Sequence, residues 1–311
     1  MAHCFVTRQL PGTALERLAA VHEVDVWPER LPPDPGTLQK LSAGAAGLLT
    51  MVSDPVDASL IAASRYLQAI ANYGVGYDNV DVKAATERGI RVGNTPDVLT
   101  DATADLTFAL LLAAARKLPQ AIATVHAGDW ITWEPMAHLG AEVQGATLGI
   151  IGLGRIGQAV ARRARGFDMT VLHTGSRDGS GIPLESLLQR SDFVSLHCPL
   201  TPETFHLINE RTLALMRPTA ILINTARGLI VDQPALKVAL ENGTIAAAAL
   251  DVTDPEPLPA SDPLLRAPNL IVAPHIGSGT RAARERMADL AVENLLAALD
   301  GRRMPHQVNE V

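Results

Sequence analysis

Short apolar runs alternate with segments of helical spacing along nearly the whole chain. In the first stretch, Cys4–Thr7, Val24–Trp27, Gly47–Thr50, Leu67–Ala71 and Ile90–Val92 predict strands. Helices are predicted between them at Ala14–Val21, Thr37–Leu41, Ala58–Ala63 and Val82–Arg88. Pro28, Pro32, Pro33 and Pro35 mark loops rather than a boundary. Strands that alternate with helices imply a mostly parallel sheet.

The alternation restarts near residue 146. Apolar runs at Thr147–Ile151 and Met169–Leu172 bracket a helical stretch in which Ile156, Val160 and Ala164 stand four apart. Strands follow at Phe193–Leu196, Ala220–Asn224, Ala246–Leu250 and Leu270–Ala273. The intervening helices are Leu184–Gln189, Glu210–Met216 and Pro234–Glu241. Between the two alternating regions, Ala102–Ala127 predicts one long helix with Asp101 as its N-cap. That helix is apolar nearly all round and must be covered on most sides, as at a domain hinge or a subunit interface. Trp130 and Trp133 follow in a loop, where they plug a core or line an interface or pocket. Arg281–Leu299 is a last amphipathic helix. The expected organisation is a discontinuous first α/β domain, residues 1–98 and 279–311, with a second α/β domain inserted at 99–278.

Chemistry enters at Gly152-Leu153-Gly154-Arg155-Ile156-Gly157, placed between a strand and a helix. In that setting Gly152 permits a tight turn, Gly154 lets backbone amides approach a pyrophosphate, and Gly157 lets the helix pack on the sheet. The helix start adds unpaired N–H groups and a positive dipole end. The fold class expected is therefore α/β, with two Rossmann-like doubly wound parallel-sheet domains. The second strand of the motif ends in His173-Thr174-Gly175-Ser176-Arg177, with no carboxylate before Asp178. Ser176 and Arg177 suit a ribose 2′-phosphate, so NADP(H) is the preferred cofactor, with NAD(H) as the other dinucleotide that fits the motif.

Bulk numbers narrow the setting. The 311 residues carry a net charge of −7 and are 47% hydrophobic, which favours two cored domains and disfavours non-specific nucleic-acid binding. Cys4 and Cys198 are too few for a disulfide framework and have no metal-type spacing. The N-terminus lacks the pattern of a secretory signal, and Leu106–Ala115 is too short to span a bilayer. A cytoplasmic protein with no membrane partner is the expectation.

Three strand ends beyond the glycine turn stop on polar residues. They are Asn224-Thr225-Ala226-Arg227-Gly228, Leu250-Asp251-Val252 followed by Asp254-Pro255-Glu256-Pro257, and Ala273-Pro274-His275-Ile276-Gly277-Ser278. Such ends share one edge of a doubly wound sheet, the edge at which the cofactor lies. Hydride transfer to a 2-keto acid needs a general acid, a cation for the carboxylate and a partner that orients the acid. His275, Arg227 and Glu256 suit these tasks, and a carboxylate beside His275 favours the imidazolium form. At the tip of the Leu67–Ala71 run, Asn72-Tyr73-Gly74-Val75-Gly76-Tyr77-Asp78 suits either a backbone anion nest or a plain turn.

The segments NYGVGYDNVD, TPDVLTDATADL, GIIGLGRIGQAVARR, NTARG, LDVTDPEPLP and PHIGS resemble the D-2-hydroxyacid dehydrogenase family. TPDVLTDATADL, the HTGSR loop and DVTDPEPLP are most similar to its glyoxylate/hydroxypyruvate reductases. The resemblance implies that Arg227, Glu256 and His275 are catalytic. It implies that the Val75 and Gly76 amides, with Ser278, meet a small 2-keto or 2-hydroxy acid. It assigns Gly154, Arg155 and Ile156 to the pyrophosphate, and Ser176 with Arg177 to the 2′-phosphate. Thr103, Cys198, Pro199, Thr204, Thr225, Ala226, Asp251 and Gly277 would contact the rest of the cofactor, Asp251 near the nicotinamide amide. It implies a homodimer joined through the helix after residue 100, with Trp133 reaching the partner's active site. Two other readings remain open: a dehydrogenase for a different D-2-hydroxy acid or for phosphite, and a dinucleotide-sensing, corepressor-like binding protein.

Overall fold

The computed structural model describes residues 1–176 and 179–311. The chain divides into two compact units, Met1–Leu99 with Gly279–Val311, and Thr100–Ser278.

The first unit begins with β1 (His3–Val6), α1 (Ala14–Ala19), β2 (Glu23–Val26), α2 (Pro35–Ser42) and β3 (Gly47–Met51). It continues through α3 (Ala58–Ala63), β4 (Ala69–Tyr73), α4 (Val82–Glu87) and β5 (Arg91–Gly93). Three of these helices start on an aspartate whose carboxylate accepts a backbone N–H. Asp34 takes Gly36 and Thr37, Asp57 takes Leu60, and Asp81 takes Ala84. The strands pair in parallel in the order β2-β1-β3-β4-β5, so the connection reverses direction between β1 and β3.

The second unit opens with α5 (Thr100–Ala115) and α6 (Leu118–Ala127), which are bent by 62°. The single helix expected over 102–127 is therefore two. Pro119 has no N–H to donate and its ring crowds the carbonyl four residues back, Ala115. The chain breaks at Lys117, which takes φ +50°, and the freed Ala115 carbonyl accepts the Ala141 N–H at 2.8 Å. Asp101 is likewise not the cap. It lies in the first turn of α5, where its carboxylate accepts an Arg163 N–H at 3.2 Å.

The remaining elements are β6 (Thr147–Ile151), α7 (Arg155–Ala164), β7 (Thr170–Thr174), α8 (Leu184–Arg190) and β8 (Phe193–Leu196). After them come α9 (Glu210–Leu213), β9 (Ile221–Asn224), α10 (Gln233–Glu241), β10 (Ala247–Leu250) and β11 (Leu270–Val272). All pairings are parallel, in the order β11-β10-β9-β8-β6-β7. Both faces are covered. Leu187, Leu222 and Leu236 pack on one side, and Phe108, Leu111, Val160 and Ile223 on the other. Every residue of β8, β9 and β10 is buried, which is why these strands read as unbroken apolar runs. The chain then returns to the first unit as α11 (Arg281–Leu299). Its Ala288, Ala291, Val292 and Leu295 pack with Cys4, Val6, Leu49 and Ala71.

No single helix among the described residues is long and apolar enough to cross a membrane. Trp130 and Trp133 are 68% and 79% exposed, so neither plugs the core of this chain.

Candidate active site

The three glycines of the turn after β6 answer three different steric demands. Gly152 holds φ +95°, and a Cβ there would stand 2.5 Å from the Cys198 backbone nitrogen. A Cβ on Gly157 would lie 2.2 Å from the Gly152 carbonyl oxygen, so α7 sits directly on the turn. A Cβ on Gly154 would meet nothing within 4 Å. That open space faces the start of α7, whose first turn has no side-chain cap. Uncapped N–H groups, the positive end of the helix dipole and a side-chain-free approach fit a dinucleotide diphosphate. The turn also lies between β6 and β8, where the strand order of this sheet reverses. Arg155 and Ile156 form the first turn of α7.

At the end of β8, the Ser195 hydroxyl lies 2.8 Å from His197 Nε2. Burial lowers the His197 imidazole to about 3, so it is neutral at any working pH. Burial also pushes the Cys198 thiol up to about 11, which makes it a packing residue and not a nucleophile. Thr204 shapes the following loop. Its hydroxyl donates to the Pro199 carbonyl at 2.7 Å and accepts the Thr201 N–H at 2.8 Å. On the β7 side, the Ser180 hydroxyl donates to Ser176 Oγ at 3.2 Å. Arg177 lies outside the described residues.

Beyond β9 the Asn224 side chain folds the loop that carries Arg227. Its amide donates to the Arg227 carbonyl at 2.8 Å, and its oxygen accepts the Ala226 N–H at 3.0 Å. Thr225 is anchored from below by Thr107 of α5, hydroxyl to hydroxyl at 3.0 Å. A Cβ on Gly228 would lie 2.1 Å from the Thr253 carbonyl, so the loops after β9 and β10 press together at backbone distance.

Asp251, at the end of β10, is 1% exposed and organises the third loop. Its carboxylate oxygens accept the Ile276 N–H at 2.8 Å and the Gly277 N–H at 2.7 Å, and its carbonyl accepts the His275 N–H at 2.9 Å. Burial raises the acid above the ordinary aspartate value, with those two amides pulling the other way. The clamp holds His275 at φ +52°, a left-handed conformation that is uncommon for a residue other than glycine. Thr103 of α5 and Asp251 flank Gly277, each 3.3 Å from where its Cβ would be.

In that pose His275 Nδ1 lies 2.5 Å from Glu256 Oε1, and the two side chains remain 32% and 37% exposed. A carboxylate only accepts, so Nδ1 carries the hydrogen and Nε2 is the ring nitrogen left to exchange a proton. Glu256 is itself held in place. The Asp254–Pro255 and Glu256–Pro257 peptides are cis, and the Gln233 side chain grips Asp254 from both sides. It donates to the Asp254 carbonyl at 2.5 Å and accepts its N–H at 2.8 Å.

In the first unit, the loop after β4 carries Val75 and Gly76. The Val75 carbonyl accepts from Asn94 Nδ2 at 2.8 Å, and the Gly76 carbonyl from Asn72 Nδ2 at 2.7 Å. Ser278 closes the second unit and is half-buried.

Gln233 was not legible as a site residue, since nothing in its spacing links it to a carboxylate on another loop. The roles of Asn72, Asn94 and Asn224 were equally hidden, although each stands at or just past the carboxyl end of a strand, where a loop-shaping amide is common.

A parallel sheet with a diphosphate cradle at its switch point, and an imidazole–carboxylate pair beyond neighbouring strand ends, defines a nicotinamide dinucleotide-dependent oxidoreductase. Residues 108–277 match the D-isomer specific 2-hydroxyacid dehydrogenase, NAD binding domain. The chain belongs to that family, whose enzymes act on small 2-hydroxy or 2-keto acids. A glyoxylate reductase of Korarchaeum cryptofilum is 48% identical over 316 residues, covering 98% of this chain and 95% of that protein. A crystal structure of a Thermus thermophilus protein superposes with a TM-score of 0.93 at 51% identity, covering 99% of this chain and 100% of the other. An NADPH-dependent glyoxylate/hydroxypyruvate reductase of Sinorhizobium meliloti, in complex with NADP and malonate, gives a TM-score of 0.86 at 34% identity. That match covers 99% of this chain and 96% of the other.

Proposed function

We propose that the chain is an NADPH-preferring reductase of small 2-keto acids, converting glyoxylate to glycolate and hydroxypyruvate to D-glycerate. The observation that carries this reading is the His275–Glu256 pair, 2.5 Å apart and still accessible. The likeness to the Korarchaeum glyoxylate reductase and the Sinorhizobium glyoxylate/hydroxypyruvate reductase supports the substrate class.

When bound, the reduced nicotinamide supplies a hydride to the keto carbon. His275 gives the Nε2 proton to the keto oxygen in the same step, so the π bond of C=O is replaced by a C–H and an O–H bond while the C–O single bond remains. Glu256 keeps the ring in register by accepting from Nδ1. Arg227 holds the carboxylate and polarises the carbonyl, and the Val75 and Gly76 amides are assigned to the carboxylate alone. Asp251 would lie near the nicotinamide amide, Thr103, Thr225 and Gly277 would contact the cofactor, and Ser176 with Arg177 would receive the 2′-phosphate.

The protein acts as a homodimer in this reading. Leu118, Ile122 and Val125 stand exposed on α6, and Trp130, Ile131, Trp133, Met136 and Leu139 are exposed in the segment that follows. An apolar surface of that extent calls for a covering partner, and Trp133 then reaches the partner's site.

The test follows NADPH and NADH absorbance against glyoxylate, hydroxypyruvate, pyruvate, phenylpyruvate and, in the oxidative direction, phosphite. Turnover of glyoxylate and hydroxypyruvate with NADPH, lowered severely by His275→Gln at unchanged NADPH affinity, is expected. Arg177→Ala should hurt NADPH use far more than NADH use. Phosphite oxidation, equal rates with phenylpyruvate, or dinucleotide binding without turnover would each overturn the reading.

A further inference from the structure

We propose that Asn94 is a positioning residue for the substrate carboxylate, acting by fixing the direction of the Gly76 amide; this rests on the reading of Val75 and Gly76 as carboxylate ligands. In a trans peptide the carbonyl and the following N–H point in opposite directions. Whatever holds the Val75 carbonyl therefore aims the Gly76 N–H. Asn94 Nδ2 holds that carbonyl at 2.8 Å. The next backbone group along does the same for the neighbouring peptide: the Thr95 N–H donates to the Gly74 carbonyl at 2.9 Å, which aims the Val75 N–H. Among the described residues, neither the Val75 nor the Gly76 N–H has a hydrogen-bond partner. Two adjacent donors are thus turned outward by acceptors satisfied on their inner side, at the carboxyl end of a parallel strand.

Asn94 is itself rigidly mounted. Its N–H donates to the His306 carbonyl at 3.1 Å, and its carbonyl accepts from Asn294 Nδ2 at 2.9 Å. Asn294 is fully buried on α11 and also accepts the His306 N–H at 3.0 Å. These bonds use the Asn94 backbone, so the side chain alone bears on Val75. Asn72, fully buried, fixes the far end of the loop: its amide holds the Gly76 carbonyl at 2.7 Å, and its oxygen accepts from Asn79 at 3.2 Å. An amide is needed at 94 because a carboxylate of the same shape would repel the carbonyl it faces.

The experiment measures KM and kcat for glyoxylate with saturating NADPH, and binding of oxamate to the NADPH-loaded full chain, for wild type, Asn94→Ala and Asn94→Asp. Loss of one hydrogen bond to a charged group predicts a rise of about tenfold or more in KM and in the oxamate Kd. Asn94→Asp should be at least as impaired as Asn94→Ala. NADPH affinity, and kcat to within about a factor of three, should hold. A merely structural role would instead lower the melting temperature and move all parameters together. The isosteric Asn94→Asp variant carries the test if the alanine variant does not fold. Unchanged KM and oxamate binding in an active enzyme would overturn this proposal and leave the function standing. A wild type whose oxamate binding is weakened by Asn94→Ala but which reduces no 2-keto acid would support it and overturn the function. A wild type that binds no oxamate would overturn both.

Discussion

Replacing Gly154 by alanine separates the structural task of the glycine turn from its binding task. An alanine Cβ at 154 meets no heavy atom within 4 Å, and φ −77° with ψ −163° suits any L-residue. The unliganded protein should keep its stability, with a gain of about 0.4–1 kcal/mol from the stiffer unfolded chain. The same methyl group enters the space through which a diphosphate would approach the first turn of α7. Losing one amide hydrogen bond to a charged oxygen costs about 1.5–3 kcal/mol, a rise of roughly 10- to 150-fold in the NADPH Kd. Gly152→Ala is the contrasting case, because φ is +95° and the new Cβ would stand 2.5 Å from a backbone nitrogen. Left-handed strain of about 1–2 kcal/mol adds to overpacking of about 1–3 kcal/mol. At about 2–4 °C per kcal/mol for a unit of this size, Tm should fall on the order of 10 °C. Fluorescence titration with NADPH and thermal unfolding without it measure both quantities on each variant. An unchanged NADPH Kd in Gly154→Ala would refute the cradle. A Tm loss in that variant matching Gly152→Ala would refute the steric reasoning.

Three further outcomes follow from the same geometry. Arg227→Ala should raise KM and depress kcat together in steady-state assays, since the side chain is assigned to both the carboxylate and the developing charge. Acid stability should depend on His197: its folded value of about 3 lies below the ordinary 6.5, so the unfolded chain binds the extra proton between them. Stability is therefore lost as pH falls from about 6.5 toward 3, and urea unfolding of His197→Gln at several pH values should show a shallower decline. In the homodimer proposed above, Ile122→Glu with Val125→Glu, both on the exposed face of α6, should shift the chain to a monomer in sedimentation velocity. A dimer that persists would move the interface elsewhere.

What the sequence determined by itself was whatever is local. The strands buried on both faces read as apolar runs because parallel sheets covered by helices leave no polar side, so β8 falls where the pattern puts it. The glycine turn was legible because each glycine answers a steric demand set within a few residues or by the next strand. Arg227, Glu256 and His275 could be picked out as polar endings of apolar runs. Only the tertiary structure decided which groups meet. The break at Lys117 depends on the Ala115 carbonyl finding the distant Ala141 N–H, and the pairing of His275 with Glu256 depends on Asp251 and Gln233 clamping two separate loops. Those clamps are side-chain amides and carboxylates bonding to backbone far along the chain, and such bonds have no period for a sequence pattern to display.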